Sequence, residues 1–408
     1  MDMSIGNNLP RVKVQNQYAI KEIVYKFGPI SRIEIADRLG LTLPTITTSV
    51  STMIKNGLLK EVELSPDIKT LGRRTMLVDI NENSRRFLGI EIRGFARSAV
   101  IIDTRGRVLA SLRDERHVVD YMDAITSASS LAVQVVRKAG LDFSAIDGIG
   151  LTSPGIIDNL KGMLVIHPGY KWSSREMVAD FVHLSGYQGE TNLENNAIAR
   201  AFGFSMFEGN VLGDVDSMAY MFISSGIGCP LLNNVKSHFG IVTGDGEVGH
   251  MVMNPEGPVC ACGNRGCLEA YTSESAIVSK AMDAVKNGRS STMAALVTQG
   301  HDLSVEDVLK ASEKGDKEAR AIIDDAIRYL GLAIANIENF VRPECMVIEC
   351  KLFDNEQNRA ALLATIHANL YRAAFSDLRV YFKKSDEFSG AKGAAATALK
   401  RNLELFLE

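Results

Sequence analysis

The sequence has no apolar run approaching the roughly 20 residues that a membrane-spanning helix requires. Its start, Met-Asp-Met-Ser-Ile-Gly-Asn-Asn, lacks the basic residues and the apolar core of a secretory signal peptide. No low-complexity tract interrupts the chain. These absences argue against a membrane protein and predict a cytoplasmic one, in which clustered cysteines bind metal more often than they form disulfides.

Tryptophan and cysteine are scarce, with 1 Trp and 6 Cys among 408 residues. The net charge is only −4, but it is unevenly distributed. Residues 1–80 contain 11 Lys and Arg against 8 Asp and Glu, a balance of +3 that leaves −7 for the remainder. The length predicts about two or three domains, and the charge distribution favours a nucleic-acid-binding module joined to an acidic sensor.

Three of the cysteines, Cys260, Cys262 and Cys267, lie close together, and His250 precedes them. The segment is rich in Gly and Pro, so it cannot build a hydrophobic core of its own. Zn²⁺ takes four tetrahedral nitrogen or sulfur ligands, and a closed set of four is typical of a structural site. The spacing therefore predicts structural zinc. The alternative is that these cysteines are small apolar residues of an ordinary core.

Two carboxylates, Glu247 and Glu269, flank the candidate ligands. Each lies within three residues of a ligand, so a folded metal loop would hold both rigidly. Carboxylates held in this way suit bidentate hydrogen bonds to neighbouring hydroxyl groups. The segment 247–269 therefore combines a predicted metal site with a predicted binding site.

The motifs Glu247-Val-Gly-His250 and Cys260-Ala-Cys-Gly-Asn-Arg-Gly-Cys-Leu-Glu269 resemble the signature of the ROK family, which comprises repressors, open reading frames and sugar kinases. The resemblance implies that the His and the three Cys bind zinc, and that the His and both Glu face a sugar. It also implies a sugar cleft near Trp172, which could stack on the ring or belong to the core. The predicted sugar-binding residues are Gly155, Asn195, Asn196, Glu247, His250 and Glu269.

Residues 1–82 are predicted to form a winged helix-turn-helix domain. Ser31 and Glu34 can form a capping box at the start of a second helix, and Pro44 suits the first turn of a third. Small hydroxyl side chains of the third helix are expected largely on its outer face: Thr45, Thr47, Thr48, Ser49 and Ser51. Such side chains can bond phosphates or base edges without keeping a helix out of the major groove.

Two strands, at 58–64 and 75–80, are predicted to flank a basic wing tip that could reach the minor groove. The alternative is a helical bundle that packs only on the rest of the protein. This segment resembles the winged-helix head of ROK repressors, which ROK sugar kinases lack. The predicted DNA-binding residues are Ser31, Arg32, Pro44, Thr45, Thr47, Thr48, Ser51, Arg73 and Arg74.

Residues 83–408 are predicted to form two α/β lobes, one at 83–200 with the C-terminal helix and one at 201–390, with a zinc knuckle at 247–269. A strand meander, a helix and a further strand are predicted in the first lobe, and a long amphipathic helix precedes a strand in the second. The resemblance assigns to this body the actin-like ATPase, or ribonuclease H-like, fold.

The two phosphate turns of ROK kinases are altered in this chain. Kinases use bare glycine amides there, because only the backbone can approach ATP phosphates so closely. Here Arg93 and Phe95 bring bulk to the first turn, and Ile227 and Pro230 remove a hydroxyl and an amide donor from the second. Glu349-Cys350 replaces a later Gly-Gly pair. No ATP is therefore expected.

The catalytic base of the kinases is also missing. Asn196 stands where kinases have the Asp that takes the sugar hydroxyl's proton, and an amide cannot accept that proton at neutral pH. If this segment were matched to the kinase motif with a shift of one residue, Glu194 would be the base instead. The chain is therefore predicted to bind a ligand without catalysing a reaction.

These observations predict a DNA-binding transcriptional regulator, a repressor of carbohydrate-metabolism genes, controlled by a sugar or sugar derivative. Its predicted partners are operator DNA with an inverted repeat and further copies of itself, as a homodimer or a dimer of dimers. One alternative is a ROK sugar kinase with an accessory DNA-binding head. Another is a regulator whose body docks a protein instead of a small ligand.

Overall fold

The described residues of the N-terminal domain form three helices and a three-stranded antiparallel sheet with the strand order β1-β3-β2. The computed structural model describes residues 9–63, 76–213, 215–233, 246–298, 302–371 and 377–403. The elements of this domain are α1 (Leu9–Phe27), β1 (Ile30–Ser31), α2 (Arg32–Leu39), α3 (Leu43–Lys55), β2 (Leu59–Glu63) and β3 (Met76–Ile80). The predicted wing tip, with Arg73 and Arg74, lies outside the described residues.

Local sequence explains where α2 and α3 begin and end. The Ser31 hydroxyl oxygen accepts the backbone N–H of Glu34 at 3.1 Å, and Gly40 ends α2 in the left-handed conformation with φ of 61°. Pro44 lies in the first turn of α3, where its missing N–H leaves no hydrogen bond unmade. The predicted helix-turn-helix is therefore present.

The first lobe is built on a five-stranded sheet with the order β11-β7-β4-β5-β6. Its elements are β4 (Arg86–Arg93), β5 (Ala96–Asp103), β6 (Val108–Asp114), α4 (Tyr121–Lys138), β7 (Gly148–Ser153), β8 (Ile156–Asp158), β9 (Met163–His167), β10 (Trp172–Arg175), α5 (Met177–Ser185), β11 (Thr191–Asn195) and α6 (Asn196–Phe207). Strands β8, β9 and β10 form a small separate sheet. Helices cover both faces of β4 and β5, so these strands are buried along almost their whole length.

The second lobe has a sheet with the order β13-β12-β15-β16, and β14 pairs with β12. Its elements are β12 (Ser217–Ile223), β13 (Ile227–Gly228), β14 (Leu231–Asn233), α7 (Glu269–Thr272), α8 (Glu274–Lys286), α9 (Ser291–Thr298), α10 (Val305–Glu313), α11 (Lys317–Phe340), β15 (Cys345–Glu349), α12 (Glu356–Asn369) and β16 (Arg379–Lys383), and α13 (Ser389–Leu403) follows them in the chain. Strands β12, β15 and β16 run parallel. No described helix is long and apolar enough to cross a membrane.

Helix α13 returns to the first lobe and packs on α6, β4 and β7. The predicted lobe boundary at residue 200 falls inside α6. This helix packs on α13, which lies against the first lobe, and on β12 of the second lobe. A continuous helix therefore joins the lobes at this point.

The N-terminal domain shares a hydrophobic core with the body. Ile20 and Val24 of α1 belong to the same buried cluster as Phe87 of β4 and Leu399 of α13. Polar contacts reinforce it: the Lys21 ammonium donates to the Leu403 carbonyl at 2.6 Å. The position of the N-terminal domain on the body is therefore defined by packing and not only by a linker.

Candidate functional site

Four side chains of the segment 247–269 form a compact cluster. One ligand atom each from His250, Cys260, Cys262 and Cys267 lies within 4.8 Å of all the others. Cys260 Sγ is 3.7 Å from His250 Nδ1, and Cys262 Sγ is 3.7 Å from Cys267 Sγ. These separations match the edges of about 3.8 Å in a tetrahedron around a metal bound at ~2.3 Å to sulfur. The cluster can therefore hold a metal ion.

Backbone geometry supports this cluster. Gly266 has φ of 70°, and a Cβ there would lie 1.6 Å from the Asn254 carbonyl oxygen, so only glycine fits. The Cys260 amide donates to the Asn264 carbonyl at 2.8 Å, and Gly263 turns the chain with φ of 95°. Burial raises the pKa of the Cys267 thiol to about 12. A bound metal ion would oppose that shift, because the thiolate is the form that coordinates.

The two flanking carboxylates are held next to the cluster. A Glu269 oxygen accepts the Ile227 amide at 3.2 Å, and the other lies 3.9 Å from Cys260 Sγ. Glu247 directly precedes a short 3-10 helix, Val248–His250. The backbone carbonyl of Glu247 accepts the His250 amide at 3.0 Å. Both carboxylates therefore have defined positions relative to the cluster.

A cavity of about 470 Å³ opens between the two lobes. All six predicted sugar-binding residues line it, namely Gly155, Asn195, Asn196, Glu247, His250 and Glu269. They come from both lobes, so the fold brings together residues that are far apart in the chain. Carboxylates, amides and an imidazole supply the mixture of donors and acceptors that a polyhydroxylated ligand requires.

Asn195 has a second role at the start of α6. Its side-chain oxygen accepts the amides of Ala197 and Ile198, and its Nδ2 donates to the Gly155 carbonyl at 2.9 Å. Gly155 itself has φ of 101°, and a Cβ there would lie 2.4 Å from the Ile166 carbonyl oxygen. Asn195 therefore acts in the cavity wall mainly by fixing the loop at Gly155.

Part of the cavity wall was not predicted, and of the two alternatives for Trp172 the structure favours the core. Trp172 is buried behind the wall, where its Nε1 donates to the Val119 carbonyl at 2.8 Å and its ring stacks on Tyr170 at 5.1 Å. Tyr170 and His167 line the cavity instead. Burial lowers the pKa of His167 to about 4, so its imidazole is neutral. Further lining residues that were not predicted are Arg93, Ser224, Ser225, Gly226 and Ser275.

Glu194 does not reach the cavity, which removes it as the alternative base. Its side chain is fully buried, accepting the Asn195 amide at 2.8 Å and Asn159 Nδ2 at 3.4 Å. Burial raises its pKa to about 7. Asn196 occupies the cavity wall next to it and cannot take up a proton.

The raised pKa of Glu194 predicts a pH dependence of stability. The folded state favours the protonated carboxyl, so this contribution is fully present below the ordinary pKa of 4.5, falls as pH rises, and is lost above about 7. We expect the free energy of unfolding to fall by roughly 3 kcal/mol over this interval, relative to a Glu194→Gln variant. Urea denaturation of both proteins between these pH values measures the difference. Parallel pH profiles would contradict the assignment.

A buried ion network joins the two lobes beside the cavity. Arg200 on α6 contacts both oxygens of Glu91 on β4, at 2.9 and 2.8 Å, and Glu349 on β15 at 3.1 Å. The Tyr220 hydroxyl donates to Glu349 at 2.5 Å, and Lys383 lies 3.7 Å from it. Burial, the largest single influence, would raise the pKa of both carboxyls. Arg200 together with Arg93 at Glu91, and Arg200 together with Lys383 at Glu349, nevertheless hold each pKa below its usual value.

The exposed face of α3 carries most of the predicted DNA-binding side chains. Pro44, Thr47, Thr48 and Ser51 are exposed, and Thr45 is half-buried. The prediction for Ser49 is wrong, because this residue is buried against the domain core. Among the other predicted residues, the Ser31 hydroxyl caps α2, and Arg32 forms an ion pair of 2.7 Å with Glu61 on β2.

The comparisons with known proteins agree with this architecture. The xylose repressor of Bacillus subtilis is 26% identical over 355 residues, covering 86% of this chain and 86% of that protein. The DNA-binding transcriptional dual regulator NagC of Escherichia coli is 26% identical over 348 residues, covering 84% of this chain and 81% of its own length. Both alignments are longer than the body, residues 83–408, so each includes part of the N-terminal domain.

Two solved structures establish the likeness of fold. A ROK family transcriptional regulator, a homolog of the Escherichia coli MLC protein, superposes with a TM-score of 0.79 at 24% identity over 96% of each chain. A ROK family glucokinase from Streptomyces griseus, solved with glucose and AMPPNP, has a TM-score of 0.66 at 22% identity and covers 77% of this chain and 99% of its own. The ROK family model matches residues 87–401. This chain therefore belongs to the ROK family.

Proposed function

We propose that this protein is a DNA-binding transcriptional repressor of carbohydrate-metabolism genes, whose operator affinity is controlled by a sugar or sugar derivative in the cleft between the lobes. One observation carries the proposal: a cavity whose wall carries carboxylates, amides and an imidazole lies in a body that shares its core with a helix-turn-helix domain. The relatives named as repressors support it.

The metal that fits the four-residue cluster is Zn²⁺. One imidazole and three thiolates form a closed set of ligands, which is typical of structural zinc and leaves no open position for a reacting water. The role we assign to the metal is therefore to hold Glu247 and Glu269 in the cavity wall.

We further propose that the body has no kinase activity. Asn196 has no group that can accept the proton of a sugar hydroxyl. The carboxylates of Glu91 and Glu349 are both hydrogen-bonded to Arg200, so they do not replace the missing base. Coupled assays with ATP and a panel of hexoses, amino sugars and pentoses are expected to show no turnover above background. Robust phosphorylation of any of them would favour a sugar kinase instead.

Helix α13 offers a physical route from the cleft to the N-terminal domain. At its start, the Lys383 ammonium donates to the Ser389 hydroxyl at 2.7 Å, and Gly390 packs directly on the Glu91 carboxylate. At its end, the Leu403 carbonyl accepts the Lys21 ammonium of α1. Closure of the lobes on a ligand would therefore displace the DNA-binding helices, and in a dimer it would change their separation on an inverted repeat.

The test uses the full chain and an operator selected from a random DNA library. A panel of sugars and sugar derivatives is screened by thermal shift, where a ligand at 100 times its dissociation constant adds about 2.7 kcal/mol. The best ligand should change operator affinity by about 5–150-fold in fluorescence anisotropy. Equal operator affinity with and without saturating ligand would refute control by the sugar and favour control by a protein partner.

A Glu269→Gln variant is expected to lose this response. The substitution preserves side-chain size but removes a charged acceptor from the cavity, while α3 is untouched. Operator affinity without ligand should stay within about twofold of wild type. The matched control is Glu256→Gln, at an exposed position of the same metal loop outside the cavity. A normal response in the Glu269 variant would show that the ligand site is elsewhere.

A Thr47→Glu variant tests the DNA-binding surface. Thr47 is exposed on α3, so a carboxylate there should repel DNA phosphates without disturbing the domain core. We expect operator affinity to fall about tenfold or more, equivalent to roughly 1.4 kcal/mol. The control is Thr126→Glu, the same change at an exposed position of α4. Equal operator affinity of the two variants would contradict the role of α3.

A further inference from the structure

Arg105, in the turn between β5 and β6 of the first lobe, contacts the N-terminal domain through its side chain. One guanidinium nitrogen donates to the Tyr25 carbonyl at 2.7 Å, and another donates to the Asp79 carboxylate. The guanidinium also lies 5.2 Å from the centre of the Tyr25 ring. Tyr25 belongs to α1 and Asp79 to β3, so one residue of the body contacts two elements of the N-terminal domain.

The contact with α1 lies at the C-terminal end of that helix, where a cation is favourable because the helix dipole is negative. Continuation of the helix could not satisfy the Tyr25 carbonyl, because the residue four positions on is Pro29, which has no N–H. Space at this point is also tight. A Cβ at Gly28 would lie 2.5 Å from an Asp79 oxygen and 3.1 Å from the Arg105 guanidinium. The end of α1 is therefore shaped to receive Arg105.

The turn that carries Arg105 is held firmly by the body. The buried Asp103 carboxylate accepts the amides of Arg105 and Arg107 at 2.9 and 3.0 Å. Gly106 has φ of 82°, and a Cβ there would lie 2.4 Å from the Phe207 ring at the end of α6. The first residue of the same helix lines the cavity. The turn therefore joins the N-terminal domain to a helix that begins in the cavity wall.

The chain between β3 and β4, which connects the two domains, also packs on this turn. The Thr104 amide donates to the Glu82 carbonyl at 3.1 Å, and the Thr104 hydroxyl oxygen accepts the Arg85 amide at 3.2 Å. Thr104 itself is fully buried. The connection between the domains is therefore fixed to the same turn as α1 and β3.

Hydrophobic burial and the contacts of Arg105 have different effects on the position of the N-terminal domain. The cluster that contains Ile20, Val24 and Phe87 holds the domain against the body, but apolar contact is non-directional and by itself permits rotation. The hydrogen bonds of a planar guanidinium are directional, and those of Arg105 reach α1 and β3 at once. Arg105 is therefore suited to fix the angle of the domain.

We propose that Arg105 is a positioning residue for operator recognition, because it fixes the angle of the N-terminal domain on the first lobe and so sets the half-site separation that a dimer reads. The proposal rests on the proposed function, in which this domain binds an inverted repeat. Adding one base pair between half-sites moves one of them by about 3.4 Å and rotates it by about 35°. A domain held at a fixed angle cannot follow such a change.

The experiment uses the full chain and DNA alone, with an operator selected from a random library. Fluorescence anisotropy compares the selected inverted repeat, the same repeat with one or two base pairs added or removed between the half-sites, and a duplex with a single half-site. A changed spacing should lower wild-type affinity about tenfold or more.

In Arg105→Met, the effect of a changed spacing should fall below about threefold. Affinity for the selected spacing should also fall, since a loosely held domain is less preorganised for binding. Affinity for the single half-site should stay within about twofold of wild type, because α3 is untouched. Retained half-site binding shows that the domain is folded.

The matched control is Arg107→Met. Arg107 is an exposed arginine of the same turn, and its side chain pairs with Asp103 of the body. This variant should keep the wild-type dependence on spacing. Arg105→Lys keeps the charge but not the planar fork, so it should show an intermediate dependence.

Two further measurements keep the test decisive if Arg105→Met folds poorly. Asp79→Asn removes the charge that Arg105 meets on β3 and should also reduce the dependence on spacing. Hydrogen exchange of the full chain needs no DNA: peptides from the end of α1 and from β3 should exchange faster in Arg105→Met and in Asp79→Asn than in wild type or Arg107→Met.

The outcomes separate this proposal from the proposed function. Unchanged spacing dependence in Arg105→Met and Asp79→Asn overturns the positioning role, even if hydrogen exchange at the end of α1 rises. An equal loss of spacing dependence in Arg107→Met overturns it as well, because the effect would then belong to the turn and not to the contacts of Arg105. A wild-type protein that binds every spacing equally overturns the proposal and leaves DNA binding standing. If the wild type selects no DNA, both proposals fail.

Discussion

Replacing Cys267 by serine should abolish stoichiometric zinc binding and unfold the segment 247–269. Cys267 is fully buried, and the strand-like pairing of Val252 with Cys267 helps to close the loop. Structural zinc contributes about 10–16 kcal/mol in isolated zinc-finger peptides, so few local contacts can replace it. Elemental analysis should give about one zinc per wild-type chain and almost none in the variant.

The Cys267→Ser substitution should affect ligand binding and not the N-terminal domain. Glu247 and Glu269 would lose their fixed positions, so ligand binding should disappear while the N-terminal domain stays folded. Cys345→Ser is the matched control, since Cys345 is also buried but lies on β15, outside the cluster. That variant should be somewhat destabilised but retain zinc. Full zinc content in Cys267→Ser would refute the assignment of the metal site.

Replacing Arg200 by methionine should be among the most destabilising single changes in the body. Arg200 is 2% exposed and lies between Glu91 of the first lobe and Glu349 of the second. Its removal leaves two buried carboxylates without their main partner, a situation that costs about 3–5 kcal/mol. Urea denaturation of the variant should show this loss of unfolding free energy.

The control restores charge balance without restoring the network. In the triple variant Arg200→Met, Glu91→Gln and Glu349→Gln, no carboxylate is left uncompensated, so much of the lost stability should return. If the triple variant is no more stable than the single one, the loss arises from packing of Arg200 on Phe222, 4.0 Å away, and not from charge. Since α13 packs on Glu91, the single variant should also weaken the ligand response.

Some features could be predicted because their determinants are close together in the chain. The four metal-binding candidates lie within one short segment, so their spacing alone indicated a common site. The helix-turn-helix was recognisable for the same reason, since the Ser31 cap, Gly40 and Pro44 act within one or two turns. The long amphipathic helix and the following strand predicted for the second lobe are present as α11 and β15, because long amphipathic periodicity and a continuous apolar run are local signals.

Other features depended on long-range packing and were missed or misjudged. Trp172 and Tyr170 are two residues apart and stack on each other. No sequence pattern shows that the Tyr170 ring lines the cavity whereas the Trp172 ring is buried behind it. Ser49 was assigned to the outer face of α3, but the way α3 packs on its neighbours buries it. The contacts of α6 with both α13 and β12 were not predicted, because nothing in the sequence shows that one helix packs on both lobes.

By itself, the sequence determined the family, the winged helix-turn-helix and the set of candidate metal ligands, since each is encoded by residues that act on their near neighbours. Only the tertiary structure decided what Arg93, Arg200 and Glu349 do. Arg200 meets partners 109 and 149 positions away, and those pairings exist only once two sheets and α13 have packed together. In the sequence, Arg93 only interrupts a glycine-rich turn. In the folded chain it is buried in the wall of the cavity, because residues of both lobes surround it.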